Sequence, residues 1–164
     1  MTDGSNTISF YSNQVPTHYK GSPREIRALN TFIKMMRASE CLNAKLQQAL
    51  TKHDITPGQL GVLEALLHLG PMNQQELGAK LLRSKANTCT VLENLEKAGL
   101  IERERGITDR RTVTVMLSGS GRKLIQKVFP DHAARITDLL SGLTAEEQET
   151  LASLCKKLGT AIGE

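Results

Sequence analysis

The chain has 164 residues, a net charge of +4, 39% hydrophobic residues and only 3% aromatic residues, with no Trp. This length suits one domain, or a small domain with extensions, and can bury a real core. No stretch approaches eighteen uncharged apolar residues, so no membrane span is expected, the scarcity of aromatic rings argues against stacking of single-stranded bases, and the small basic excess permits a nucleic-acid partner without requiring one.

The opening segment "MTDGSNTISFYSNQ" has neither a basic start nor an apolar stretch behind it. It is therefore not read as a signal peptide, and a cytoplasmic protein is expected. Residues 1–22 read as a loose arm. From Pro23 to about residue 51, Ile26, Leu29, Ile33, Met36, Leu42, Leu46 and Leu50 recur at three-to-four spacing without an interrupting Gly or Pro, which predicts one long amphipathic helix. "TPGQLGVLEALLHLG" is a second helix. Thr56 caps it, Pro57 opens it, Gln59 completes a capping box, and Gly70 with Pro71 ends it. Its expected buried face is Leu60, Leu63 and Leu67.

Asn73 and Glu76 form another capping-box spacing over a short helix with Leu77 and Leu81 inward. Three residues later Ser84 caps a longer helix, "KANTCTVLENLEKAG", whose stripe is Val91, Leu92 and Leu95. Two helices joined this closely, the second longer, predict a helix-turn-helix. "LIERER" and "TVTVML" then alternate with period two around the turn at 106–111, which predicts a β-hairpin. A long helix over 119–141 follows, started by Ser118, kinked at Pro130 and ended by Gly142. Thr144 and Glu147 cap a last helix marked by Leu151, Leu154, Leu158 and Ile162.

The predicted fold is mainly α with a small β-hairpin wing. A winged helix-turn-helix over 56–118 lies between a dimerisation helix region at 23–55 and C-terminal dimerisation helices at 119–164. The small central domain cannot cover the apolar faces of the end helices, so a homodimer is expected.

A recognition helix in a major groove would bring the hairpin onto the adjoining minor groove, where Arg is the side chain that enters. Arg110 and Arg111 at the hairpin tip fit that role, and Asp109 would brace one of them. Lys80, Arg83 and Lys85 form the clearest basic run, at the turn of the motif where phosphates would pass. Lys85, Asn87, Thr88 and Thr90, on the first half of the recognition helix, are the base-reading candidates. Asn pairs with adenine, Lys reads guanine or phosphate, and a Thr methyl meets thymine. The alternative for each is a solvated or capping residue.

The stretch from Leu63 to Leu124 resembles the MarR family of bacterial transcriptional regulators. Glu76-Leu77, the "LEKAGLIER" close of the recognition helix, "DRR" at the wing and "LSGSG" after the strand carry the likeness, with Ser118 where the family usually has Thr. The flanking helices extend it over about 23–162. The resemblance implies a dimer on a pseudo-palindromic operator, mostly a repressor, released by a small, often aromatic effector. It places Asp109 and Arg111 at the family's wing pair and Arg103 at its strand Arg. It also suggests an effector pocket near Met36, Leu67 and Phe129, at the junction of the first two helices with the helix after the wing.

The three Cys, at 41, 89 and 155, form no CxxC, which argues against disulfides and a Cys-built zinc site. Cys41 could switch a redox-regulated protein of the same fold, but a small buried hydrophobe is the simpler reading. The scattered His18, His53, His68 and His132 show no metal-ligand spacing, so neither metal nor cofactor is expected. No nucleophile elbow or phosphate loop supports an enzyme. The rival reading is a winged helix that binds protein rather than double-stranded DNA. An apolar patch in place of the basic turn would favour it.

Overall fold

The computed structural model describes residues 17–81, 85–105 and 113–163. The chain forms two compact units, Met1–Asn43 and Ala44–Glu164, and the first helix runs across their boundary. That helix, α1, spans Pro23–Leu50. Ser22 opens it with a capping box that the sequence reading did not include. The Glu25 carboxylate accepts from the Ser22 N–H at 2.8 Å, and Ser22 Oγ accepts from the Glu25 N–H at 3.3 Å. The Ser22 N–H, and after it the Ser22 hydroxyl, which donates to the same carboxylate oxygen at 2.8 Å, hold the Glu25 carboxyl below its usual range. A 3-10 turn, Thr51–His53, closes the helix at Asp54, whose φ of 57° is left-handed.

α2 covers Pro57–Leu69 and carries the predicted Thr56–Gln59 capping box with Pro at its start. Its buried residues include Leu60, Val62, Leu63 and Leu66. Leu60 and Leu63 are buried as expected, whereas Leu67 packs only partly buried against the core and Leu66 is buried in its place. A two-residue strand that the sequence did not predict, β1 (Met72–Asn73), precedes α3 (Gln74–Lys80). α4 covers Lys85–Lys97. β2 (Ile101–Arg105) and β3 (Val113–Leu117) form the predicted hairpin strands, in antiparallel register from Ile101 opposite Leu117 to Arg105 opposite Val113. β1 pairs on the other side of β3, giving an antiparallel sheet of order β1-β3-β2. α5 (Gly119–Leu140) continues through Pro130, and α6 spans Ala145–Gly163. The core is aliphatic, with Leu63, Leu77, Leu92, Leu95, Val115 and Ile125 fully buried. Among the described residues no helix is long and apolar enough to cross a membrane.

One junction fixes α4 relative to the sheet and α5. α4 ends in a Schellman motif: Leu100 N–H donates to Leu95 O at 2.9 Å, and Gly99 N–H donates to Glu96 O at 2.9 Å. This motif needs a left-handed residue, and Gly99 supplies it at φ 68°. Ser118 ties the motif to the next helix. Its N–H donates to Leu100 O at 3.1 Å, and its hydroxyl donates to Gly99 O at 2.7 Å. The same hydroxyl accepts from Gly121 N–H at 2.9 Å and so caps α5. The approach is so close that a Cβ on Gly121 would stand 1.9 Å from Leu100 O. Backbone cannot swing aside as a side-chain end can. Gly121→Ala is therefore expected to cost about 3 kcal/mol or more, against about 1 kcal/mol for Ser118→Ala. Urea unfolding midpoints test this, and a Gly121→Ala protein with the parent midpoint would contradict the packing.

Candidate nucleic-acid interface

α3 and α4 form a helix-turn-helix. The Asn73 side chain accepts from Glu76 N–H at 2.8 Å, and Glu76 returns a bond to Asn73 N–H at 3.2 Å, so α3 begins as its sequence requires. α4 lies on the core through Leu92 and Leu95, with Val91 packed at the edge. Its other faces hold the exposed Asn87, Thr90, Glu93 and Lys97.

Thr88 does not stand among them. It is only 2% exposed, and a Cβ placed on Gly78 of α3 would lie 3.2 Å from its Oγ1. Thr88 is one turn before Leu92 on the buried face of α4, and the bare backbone of Gly78 leaves room for it. The expectation that Thr88 reads a base is corrected: it spaces the two helices of the motif. Asn87 and Thr90 flank it on exposed positions, and Lys85 is the first residue of α4. A second α3–α4 link, absent from the sequence reading, is the bond from Gln74 Nε2 to Cys89 Sγ at 2.8 Å.

Lys80 is exposed in the last turn of α3, where a cation favours the helix dipole. Arg103 faces back across β2 onto α4. Its Nε donates to Glu96 Oε2 at 2.9 Å, and a terminal guanidinium nitrogen contacts the same oxygen. This bond lowers the Glu96 carboxyl below its usual range and raises the already high Arg103 guanidinium. The field of Glu93 acts on Arg103 in the same sense. Arg103 thus binds the wing strand to the recognition helix and offsets two helix carboxylates. The pair joins a helix end to a strand seven residues on, a separation at which helix periodicity gives no signal.

Arg83, Ser84, Asp109, Arg110 and Arg111 lie outside the described residues. In the expected pocket, Met36 is 43% exposed on α1, while Leu67 and Phe129 pack half-buried against the core, the Phe129 ring 5.0 Å from His68 in an edge contact. A cavity of about 250 Å³ is lined by none of these three. It lies between residues 49–53 and the middle of α5. Cys41, expected as a small buried hydrophobe, is exposed, because the stripe of α1 there runs through Leu42 and Leu46. Among the described residues no group of three or more His, Cys, Asp or Glu is placed to hold a metal ion.

Residues 53–112, which take in α2, the helix-turn-helix and β2, match the sequence profile of the MarR family. A relative, the HTH-type transcriptional regulator MhqR of Bacillus subtilis (strain 168), is 33% identical over 133 residues, covering 81% of this chain and 92% of MhqR. The chain belongs to the MarR family. It is thus a winged-helix transcriptional regulator by family. Among solved MarR-like structures, S. aureus MepR in complex with DNA is 27% identical with a TM-score of 0.70, covering 80% of this chain and 96% of that one. Bordetella bronchiseptica BpsR, whose DNA binding is regulated by 6-hydroxynicotinic acid, is 25% identical with a TM-score of 0.73, covering 79% of this chain and 98% of that one.

The Arg103–Glu96 bond implies a pH signature within this MarR fold. The Glu96 pKa is lowered from 4.5 on folding. Its stabilising effect is therefore complete above that value and disappears as pH falls through the lower folded value. Glu96→Gln is expected to be less stable than the parent at neutral pH and to converge with it in acid. Thermal melts from pH 7 to about pH 2 measure this, and a gap that stays constant would show that the bond does not depend on charge.

Proposed function

We propose that this MarR-family chain is a homodimeric, sequence-specific repressor of double-stranded DNA that leaves a pseudo-palindromic operator when a small effector binds. The observation that carries the reading is the division of α4 into two faces. Thr88, Leu92 and Leu95 are buried, while Asn87 and Thr90, in the first half of the helix, are exposed. A helix held on its core by one side offers the other to a major groove. Lys85, Asn87 and Thr90 would then meet base edges, Lys80, Arg83 and Ser84 the backbone, and Arg110 or Arg111 the flanking minor groove with Asp109 as brace. Arg103 acts through Glu96 as a positioning residue. The MepR–DNA complex supports the DNA partner, and the regulation of BpsR by a small acid supports an effector.

Exposed apolar surface supports the dimer. Phe32, Met35 and Met36 on α1 are exposed, as are Leu151, Leu154, Leu158 and Ile162 on α6. The four α6 residues recur at helical spacing and make one stripe, which water disfavours and a second copy would cover. Sedimentation at micromolar concentration should give twice the 18.0 kDa chain mass, and a clean monomer would contradict this reading.

Binding titrations at several salt concentrations separate the two contact types. Asn87→Ala should relax preference at one position of each half-site, costing about 1–3 kcal/mol there. Arg111→Ala should weaken binding across sequences and make the salt dependence shallower. If Arg111→Ala binds like the parent at every salt concentration, the wing does not touch DNA.

A further inference from the structure

We propose that Glu93 is a specificity-determining residue of α4: its carboxylate accepts a hydrogen bond from the amino group of a cytosine in the major groove. The proposal rests on the operator reading above. Glu93 follows Asn87 and Thr90 at intervals of three residues, and all three are exposed. Three residues advance a helix by about 4.5 Å, a little more than the roughly 3.4 Å between stacked base pairs. Zinc-finger helices read successive bases with residues at this same spacing. At about 100° per residue, Glu93 lies about 130° around α4 from the mean direction of the buried Thr88, Leu92 and Leu95. It therefore shares the outward side with Thr90.

The chemistry of a carboxylate selects the base. It only accepts hydrogen bonds, and the donors in the major groove are the amino groups of cytosine and adenine. Adenine sets its N7 acceptor beside the amino group, where it would face the second carboxylate oxygen, and cytosine does not. The carboxylate is open to such a donor. Among the described residues Glu93 makes no hydrogen bond or ion pair, not even with Lys97 one turn on, where the spacing favours one. What reaches it is the field of Arg103, which Glu96 holds in place on the wing strand. That field offsets part of the repulsion between Glu93 and phosphate. The remainder weakens binding to DNA in general and so sharpens the choice of the sequence that supplies the amino group.

The test uses full-length protein on the DNA fragment it selects from a random pool, on that fragment with each base pair replaced in turn, and on random DNA. The parent should require cytosine at one position per half-site, about two to three base pairs from the position that Asn87→Ala relaxes. Glu93→Ala should lose about tenfold on the selected fragment, flatten the preference at that position alone, and bind random DNA more tightly. Glu93→Gln should move the preference there to adenine, because an amide pairs with its amino group and N7. Glu93 is exposed, and the melting curves of both variants should match the parent. If Glu93→Ala tightens every sequence equally, the residue only repels phosphate and the proposal is overturned. Parent specificity that survives Glu93→Ala at every position overturns it as well and leaves the operator reading intact. A parent that prefers no sequence over random DNA overturns both.

Discussion

Ser118 holds three elements with one small side chain and its own backbone. Its hydroxyl joins the carbonyl of Gly99 to the first turn of α5, and its N–H joins the carbonyl of Leu100. The Schellman turn of α4, the base of the wing and the start of α5 are therefore a single hydrogen-bonded knot. Gly121 permits the contact because it lacks a Cβ. A helix that must present side chains to a groove needs a fixed direction, and this knot sets it from the C-terminal end. From the other side, Thr88 against Gly78 and Gln74 against Cys89 set the spacing to α3.

Charge within the motif follows from the same geometry. Glu93 and Glu96 lie in the second half of α4, and unpaired carboxylates there would oppose phosphate. Arg103 meets Glu96 directly and feels Glu93. The strand arginine is thereby turned inward to the helix. One charged hydrogen bond joins the wing strand to the helix, and such bonds are stronger than neutral ones.

Much of the fold was legible in the sequence because local rules decide it. The capping boxes at Thr56, Asn73 and Thr144 each hold the expected reciprocal bonds. The alternating strands around the hairpin and the Gly99 stop also follow from local chemistry. What was missed depends on tertiary partners. β1 has only two residues, and its pairing with β3 across more than forty positions leaves no periodic trace. Thr88 looks like a surface residue by type, and only the absence of a side chain at Gly78 makes it a core one. Leu66 rather than Leu67 is buried because α2 is apolar on several sides, so its sequence does not pick one stripe. Of the candidate site, Asn87 and Thr90 could be placed outward by counting turns from Leu92. The Arg103–Glu96 bond and the cavity walls, drawn from elements distant in sequence, could not.

The central claim is that the exposed face of α4 enters a major groove while the wing follows the adjoining minor groove. Chemical footprinting on a DNA fragment selected by the protein tests it most directly. Dimethyl sulfate reports guanine N7 in the major groove, and hydroxyl radicals report the minor-groove edge of the backbone. The account predicts two patches of guanine protection centred about 10 bp apart, with hydroxyl-radical protection in the minor grooves outside them. Protection of the backbone alone, with guanine N7 equally reactive in free and bound DNA, would contradict it.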